Sequence, residues 1–168
     1  MIFVAVGTQL PFDRLVRAVD QWAEQTRHHE VVAQIGTGTY VPKFLTWERM
    51  IGPDAFRAYV EHCELVVAHA GIGTILSALE LGKPVIVLPR KAEYGEHRND
   101  HQLATAERFS ARRLVSVAQD ESQLVELLNQ FENPRESSRI SSEASPELIG
   151  NLRQFFEKVG LERTRVRL

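Results

Sequence analysis

Two glycines and a histidine in the stretch "HAGIGT", residues 69–74, carry the chemistry most directly legible in this chain. An apolar run, "ELVVAH" (64–69), ends in His69, and Gly71 and Gly73 then leave the backbone bare where a helix begins. Free N–H groups at a helix start, together with the positive end of the helix dipole, favour a phosphate. The glycines let a ligand's oxygens reach those N–H groups, and Thr74 adds a hydroxyl. A dinucleotide fingerprint would place a third glycine at position 76, where this chain has Leu76, and would follow the first strand rather than lie in mid-chain. His69 alone also has the ordinary reading of a hydrogen-bonded structural histidine.

Two further loops are chemically loaded. In "VGTQLPFD" (6–13), Gly7 leaves a strand and Thr8 and Gln9 offer polar groups, although a plain strand–helix turn accounts for the same residues. The stretch "RKAEYGEHRNDHQLATA" (90–106) gathers Glu96, His97, Asn99, Asp100, His101 and Gln102. A solvated loop is the ordinary account of it. Its His and acidic spacings match no closed zinc pattern, so no metal is expected. Dense directional polar groups leading into a helix suit a polyhydroxylated ligand.

The elements that must position these loops alternate. Apolar runs at 2–7, 30–36, 64–69, 84–89 and 113–118 read as strands, several of them continuous enough for burial on both faces. Helical spacing follows each: Leu15, Val16, Val19, Trp22 and Ala23 share one face, "PDAFRAYVEH" starts at Pro53, and residues 73–81 stop at Gly82 and Pro84. Residues 100–111 read as a further helix, and Asp120 with Gln123 forms a capping-box-like start for "ESQLVELLNQF". Strand–helix alternation predicts a doubly wound α/β domain over residues 1–131 with a mostly parallel sheet. Residues 132–145 are polar and turn-rich, a surface linker. Ser145, Pro146 and Glu147 then open a final helix to about residue 159, followed by a basic tail.

Composition bounds the rest. The 168 residues carry a formal net charge of −2, which leaves no basic footprint for nucleic acid. The single cysteine, Cys63, allows no internal disulfide and reads as a small core residue. No run approaches the roughly 18 apolar residues of a membrane span, and the first residues, "MIFVAVGT", read as a strand rather than a signal segment. A cytoplasmic location is the expectation, with membrane contact only peripheral.

Taken together, "VGTQLPFDRL", "QIGTGT", "HAGIGTILSALELGKPVIVLP" and "GEHRNDHQLATA" resemble the donor-binding, C-terminal half of GT-B glycosyltransferases. Order and spacing of these blocks over roughly residues 1–110 carry the likeness. It extends to stand-alone subunits of two-part enzymes: bacterial capsule and exopolysaccharide transferases, and the catalytic subunit of the eukaryotic dolichol-linked N-acetylglucosaminyl transferase. The resemblance implies a single Rossmann-like domain, half of a GT-B fold. It implies that His69, Gly71, Gly73 and Thr74 hold the donor diphosphate, and that Gly7, Thr8 and Gln9 face the donor. Asn99, Asp100, His101 and Gln102 would contact the donor sugar, and Ile51 and Phe56, in "MIGPDAF", would line the nucleobase slot. Many relatives carry a glutamate where this chain has Ser77; a serine cannot accept both ribose hydroxyls in bidentate fashion, and Glu80, one turn on, is the substitute considered.

The implied reaction is inverting transfer from a UDP-sugar to a polyprenyl-diphosphate-linked saccharide. No cofactor is expected, since the helix-start N–H groups would stabilise the departing UDP without a metal. The general base is open, with His97 one candidate and a partner chain the other. Arg90, Lys91 and Arg98 point toward a carboxylated donor such as UDP-glucuronate, with UDP-galactose the other donor considered. One domain where a GT-B enzyme needs two implies a membrane-anchored, acceptor-binding partner subunit, with the final helix as docking element, holding this chain at the inner face of the membrane. Two other classes fit the same residues: a nucleotide-sugar-binding regulator and a small dinucleotide-dependent α/β protein.

Overall fold

The computed structural model describes residues 1–131, 140, 141, 150, 151 and 154. The linker expected at 132–145 and the final helix at 146–159 therefore lie largely outside the described residues; of the latter, Gly150, Asn151 and Gln154 are helical. Within the linker, Ile140 is half-buried against the core and its N–H donates to the Leu79 carbonyl (3.3 Å).

Six parallel strands make one sheet: β1 (Ile2–Ala5), β2 (Val31–Gln34), β3 (Thr46–Glu48), β4 (Leu65–His69), β5 (Val85–Leu88) and β6 (Ser116–Val117), in the order β3-β2-β1-β4-β5-β6. Within residues 1–131, five α-helices connect and flank them: α1 (Asp13–Thr26), α2 (Pro53–His62), α3 (Ile72–Glu80), α4 (His101–Ala111) and α5 (Glu121–Gln130). The α/β expectation holds.

Strand pleating explains the two-layered core. Ile2, Val4 and Val6 of the first strand segment join one apolar cluster with α1 and α5, while Phe3 and Ala5 join a second cluster with α2, α3 and α4. The same alternation divides Leu65 and Val67 from Val66 and Ala68, and Ile86 and Leu88 from Val85 and Val87. Successive side chains point to opposite faces, so a sheet covered on both sides needs a continuous apolar run.

Two differences from the sequence reading have local causes. β3 has no counterpart among the expected strands; its residues are all exposed at the sheet edge, so Thr46–Glu48 carry no buried-strand pattern. The strand expected over 113–118 shrinks to Ser116–Val117, because Arg113 takes the left-handed conformation (φ 56°) in the turn leaving α4.

Candidate functional site

β1 and β4 lie side by side at the centre of the sheet, and the chain leaves them in opposite directions, β1 toward β2 and β4 toward β5. Such a reversal opens a crevice at the carboxyl ends of the two strands, where ligands bind in open α/β sheets. His69, the last residue of β4, occupies this position. Its Nδ1 lies 3.3 Å from the Ala5 carbonyl at the end of β1. A carbonyl only accepts, so Nδ1 carries the proton and Nε2 keeps a lone pair. Burial pushes the imidazole down to about 4, with Arg90 and His97 adding in the same direction and the Ala5 bond opposing it. The ring is therefore neutral at neutral pH.

The imidazole also explains two of the glycines. A Cβ at Gly7 would stand 2.7 Å from His69 Cε1, and one at Gly71 would overlap His69 Nε2. The chain's own histidine thus already excludes a side chain at Gly71, which itself lines the crevice. Gly73 differs, since nothing lies within 4 Å of a Cβ built there. Gly7 in addition adopts φ +82°, and Gln34, the last residue of β2, holds it there. Gln34 Oε1 accepts from the Gly7 N–H (3.0 Å), and its Nε2 donates to the Gly7 carbonyl (3.0 Å) and the Arg49 carbonyl (3.1 Å). Sequence reasoning missed Gln34, which the structure buries; the available signal was an amide at the carboxyl end of an otherwise apolar run.

α3 begins one residue earlier than the spacing predicted, with Gly71 as N-cap and no side-chain cap. The first-turn N–H groups of Ile72, Gly73 and Thr74 have no intrahelical carbonyl to bond, so they present donors and the positive helix end to the crevice.

The third loop divides sharply. Gln102 is buried, and its Oε1 accepts from the backbone N–H groups of Ala70 (3.2 Å) and Arg90 (3.1 Å), which leaves Nε2 for a ligand. Asn99 and Asp100, expected to touch a sugar, do not line the crevice. Asn99 Oδ1 bonds to the His101 ring, and Asp100 Oδ1 accepts from the Ala92 N–H (2.8 Å). Glu96 is likewise structural. Its carboxylate takes two bonds from the Arg14 guanidinium (2.7 and 2.8 Å) and one from the Lys91 N–H (3.0 Å). His97 faces the crevice with its ring edge-on to His101 (4.4 Å between centroids), and its Nδ1 is buried with no hydrogen-bond partner among the described residues. Burial and then the neighbouring charges of His101, Arg90 and Arg98 lower its pKa.

Arg90 is corrected most. Rather than offering a charge to a ligand's carboxylate, its guanidinium is buried and donates to the carbonyls of Val6, Leu10, Pro11 and Glu96. Lys91 pairs with Glu93 (3.5 Å), and Arg98 is exposed away from the crevice lining.

The crevice is a cavity of about 750 Å³, within the range of small-molecule sites. Gly7, Thr8 and Gln9, then His69, Gly71, Gly73 and Thr74, then His97, His101 and Gln102 form three of its walls, so three sequence-distant loops meet as expected. Ile51, Pro53, Phe56 and Ser77 line a more apolar side. Glu80 is not part of the lining. Among the described residues, no carboxylate faces this cavity, and Arg90 is its one formally charged lining residue. Among the described residues, no group of three or more His, Cys, Asp or Glu is placed to hold a metal ion.

Comparison with known proteins bears on the family and the fold. The human UDP-N-acetylglucosamine transferase subunit ALG13 is 32% identical over 118 residues, which are 64% of this chain and 10% of that protein. This chain thus spans about a tenth of the curated relatives it matches first. In solved structures, an NMR solution structure of ALG13 superposes with a TM-score of 0.59 at 20% identity, covering 83% of this chain and 89% of that one. MurG of Acinetobacter baumannii gives 0.58 at 17% identity, covering 81% of this chain and 42% of MurG; at these identities both show the shared fold. The sequence profile of the glycosyltransferase family 28 C-terminal domain matches residues 1–158. With nearly the whole chain covered and the fold shared, the protein belongs to the glycosyltransferase family 28 C-terminal domain family.

Proposed function

We propose that this chain is the donor-binding subunit of an inverting glycosyltransferase, holding a UDP-sugar in the crevice between β1 and β4. The carrying observation is a cavity with no carboxylate among its described lining residues, into which the uncapped N-terminus of α3 opens beside the buried Arg90 charge. A dianionic diphosphate gains from helix-start donors and from a fixed cation, and an acidic wall would repel it. Gly73 and Thr74 take the diphosphate, Thr8 and Gln9 close over it, and the apolar side at Ile51 and Phe56 accepts the base, with Ser77 the side chain near the ribose. His101 and the free Nε2 of Gln102 take sugar hydroxyls. As UDP departs, the same N–H groups stabilise the charge that develops on it. The general base is His97, whose lowered pKa keeps the imidazole neutral, or a group on a partner chain.

The name of the human relative specifies UDP-N-acetylglucosamine and the word subunit. We therefore place UDP-N-acetylglucosamine beside UDP-glucuronate and UDP-galactose as donors; the carbonyl bonds of Arg90 remove it as a ligand for glucuronate. Ile72 and Leu76, one turn apart on α3 beside Gly73 and Ser77, are exposed apolar side chains that suit cover by a second, acceptor-binding subunit. In this reading a membrane-anchored partner presents a lipid-linked saccharide acceptor; no helix among the described residues is long and apolar enough to cross a membrane.

Calorimetry of the chain against UDP, the three UDP-sugars and NAD tests this reading. UDP binding that is lost in Gly73→Asp is expected: the open space at Gly73 accommodates the side chain, while its charge opposes the diphosphate. NAD binding without UDP binding would overturn it in favour of a dinucleotide-dependent protein.

A further inference from the structure

Arg90 stands where all three cavity walls can be tied together. Three of its guanidinium bonds reach the loop between β1 and α1, at the carbonyls of Val6 (2.7 Å), Leu10 (2.7 Å) and Pro11 (2.6 Å). A fourth reaches the Glu96 carbonyl (3.2 Å) in its own loop. Its backbone N–H donates to Gln102 Oε1 (3.1 Å), the same oxygen that holds the Ala70 N–H beside the α3 N-terminus (3.2 Å). The guanidinium also lies over the Phe12 ring, 4.7 Å from its centroid, at the start of α1.

The partners of this cation are unusual. A buried guanidinium normally faces a carboxylate. Among the described residues no carboxylate lies within ion-pair distance of Arg90, because Glu96 turns its carboxylate to Arg14 and offers Arg90 only its carbonyl. Carbonyl dipoles solvate the charge without neutralising it, so a full positive charge persists at the cavity wall. Burial drives its pKa down to about 10, which still leaves it charged at neutral pH.

We infer that Arg90 is a positioning residue for the donor diphosphate: its planar fork sets the loop of Gly7–Gln9 against the α3 N-terminus, and its unneutralised charge biases the cavity toward an anion. Lysine cannot reproduce this arrangement, since a point ammonium lacks the fork that reaches several carbonyls at once. This inference rests on the UDP-sugar reading for its ligand, but its geometric half concerns the free protein.

The test therefore has two arms on the full chain. In the first, hydrogen exchange of the unliganded wild type follows the amides of Gly7, Ala70, Arg90 and Lys91, each of which donates to a side chain in this network. They are expected to open together, at rates within a few-fold of one another; Gly7 exchanging a hundredfold faster than the other three would overturn the positioning role without any variant. In the second, Arg90→Lys and Arg90→Met are titrated with UDP and with uridine. A tenfold or greater loss of UDP affinity in Arg90→Lys, larger still in Arg90→Met, with uridine affinity held within twofold, is expected. A merely structural role would weaken both ligands alike, and unchanged UDP affinity in a folded Arg90→Lys would overturn the inference. Failure of the wild type to bind UDP would refute the UDP-sugar reading and the anion half, and leave the exchange arm to decide the geometric half.

Discussion

The imidazole of His69 fills the space that a side chain on Gly7 would need, with Cε1 2.7 Å from the ideal Cβ position. His69 ends β4 and Gly7 lies two residues past the end of the neighbouring β1, so the histidine is a spacer between the first loop and the α3 N-terminus. Gly7→Ala must both displace the ring and place a side chain at φ +82°. A loss of about 2 kcal/mol or more in unfolding free energy is expected, measured by urea titration. Gly73→Ala, built into open space on α3, is expected to stay within about 1 kcal/mol of wild type and to favour the helix. Equal destabilisation by the two variants would contradict the spacer role.

The same histidine makes stability depend on pH. Its folded pKa of about 4 lies below the ordinary histidine value of about 6.5, so between these values the unfolded chain binds a proton that the folded protein does not. This contribution is fully present above pH ~6.5 and is lost progressively as pH falls toward about 4, by about 2–3 kcal/mol at pH ~4.5. His69→Gln removes the titration. Denaturant curves at pH ~7 and ~4.5 are expected to show a smaller acid loss in the variant than in wild type; parallel losses would exclude this origin.

Gln102 Oε1 is the shared acceptor for two buried backbone donors. Gln102→Leu keeps the side-chain bulk and strands both N–H groups. An unsatisfied buried donor costs about 1–3 kcal/mol, so a loss of about 2–4 kcal/mol is expected by thermal or denaturant unfolding. Gln102→Glu, which restores an acceptor oxygen, should recover part of that loss at acidic pH, where the carboxyl is neutral.

Arg14 and Glu96 are about nine-tenths buried at their side chains, 13% and 10% exposed, and bonded twice. Glu96→Gln leaves a buried guanidinium short of charge, with the Glu121 carboxylate (3.2 Å) and the Pro89 carbonyl (3.0 Å) as its remaining partners. Breaking a buried pair by removing one partner costs about 3–5 kcal/mol in full burial; the remaining partners set the expectation nearer about 2 kcal/mol. The double variant Arg14→Met, Glu96→Met should lose less than the sum of the single changes, and strict additivity would show that the pair is not coupled.

Which parts of this architecture were legible depends on whether a period existed to read. The runs "IFVA", "LVVA" and "VIVL" announce strands buried on both faces, and the α1 face of Leu15, Val16, Val19 and Trp22 follows helical spacing. Glycine and proline punctuation placed Pro53 at the first residue of α2 and stopped α3 before Gly82. The meeting of three loops at one crevice also followed, since parallel connections bring every strand's carboxyl end to the same edge of the sheet. β3 escaped because an exposed edge strand has no apolar pattern.

By itself, then, the sequence determined the strand–helix order apart from β3, the two-sided core and the bare, histidine-led entrance to α3. Tertiary structure alone decided the role of each polar side chain in the loops: Gln34 and Arg90 became scaffolding, Glu96 turned to Arg14 and Asp100 to the Ala92 N–H, and His97, His101 and Gln102 were left facing the cavity. The reason is physical. A repeating element declares its buried face through its own period, whereas a loop residue takes its partner from wherever the fold brings one, as Arg14 comes to Glu96 across 82 positions of chain.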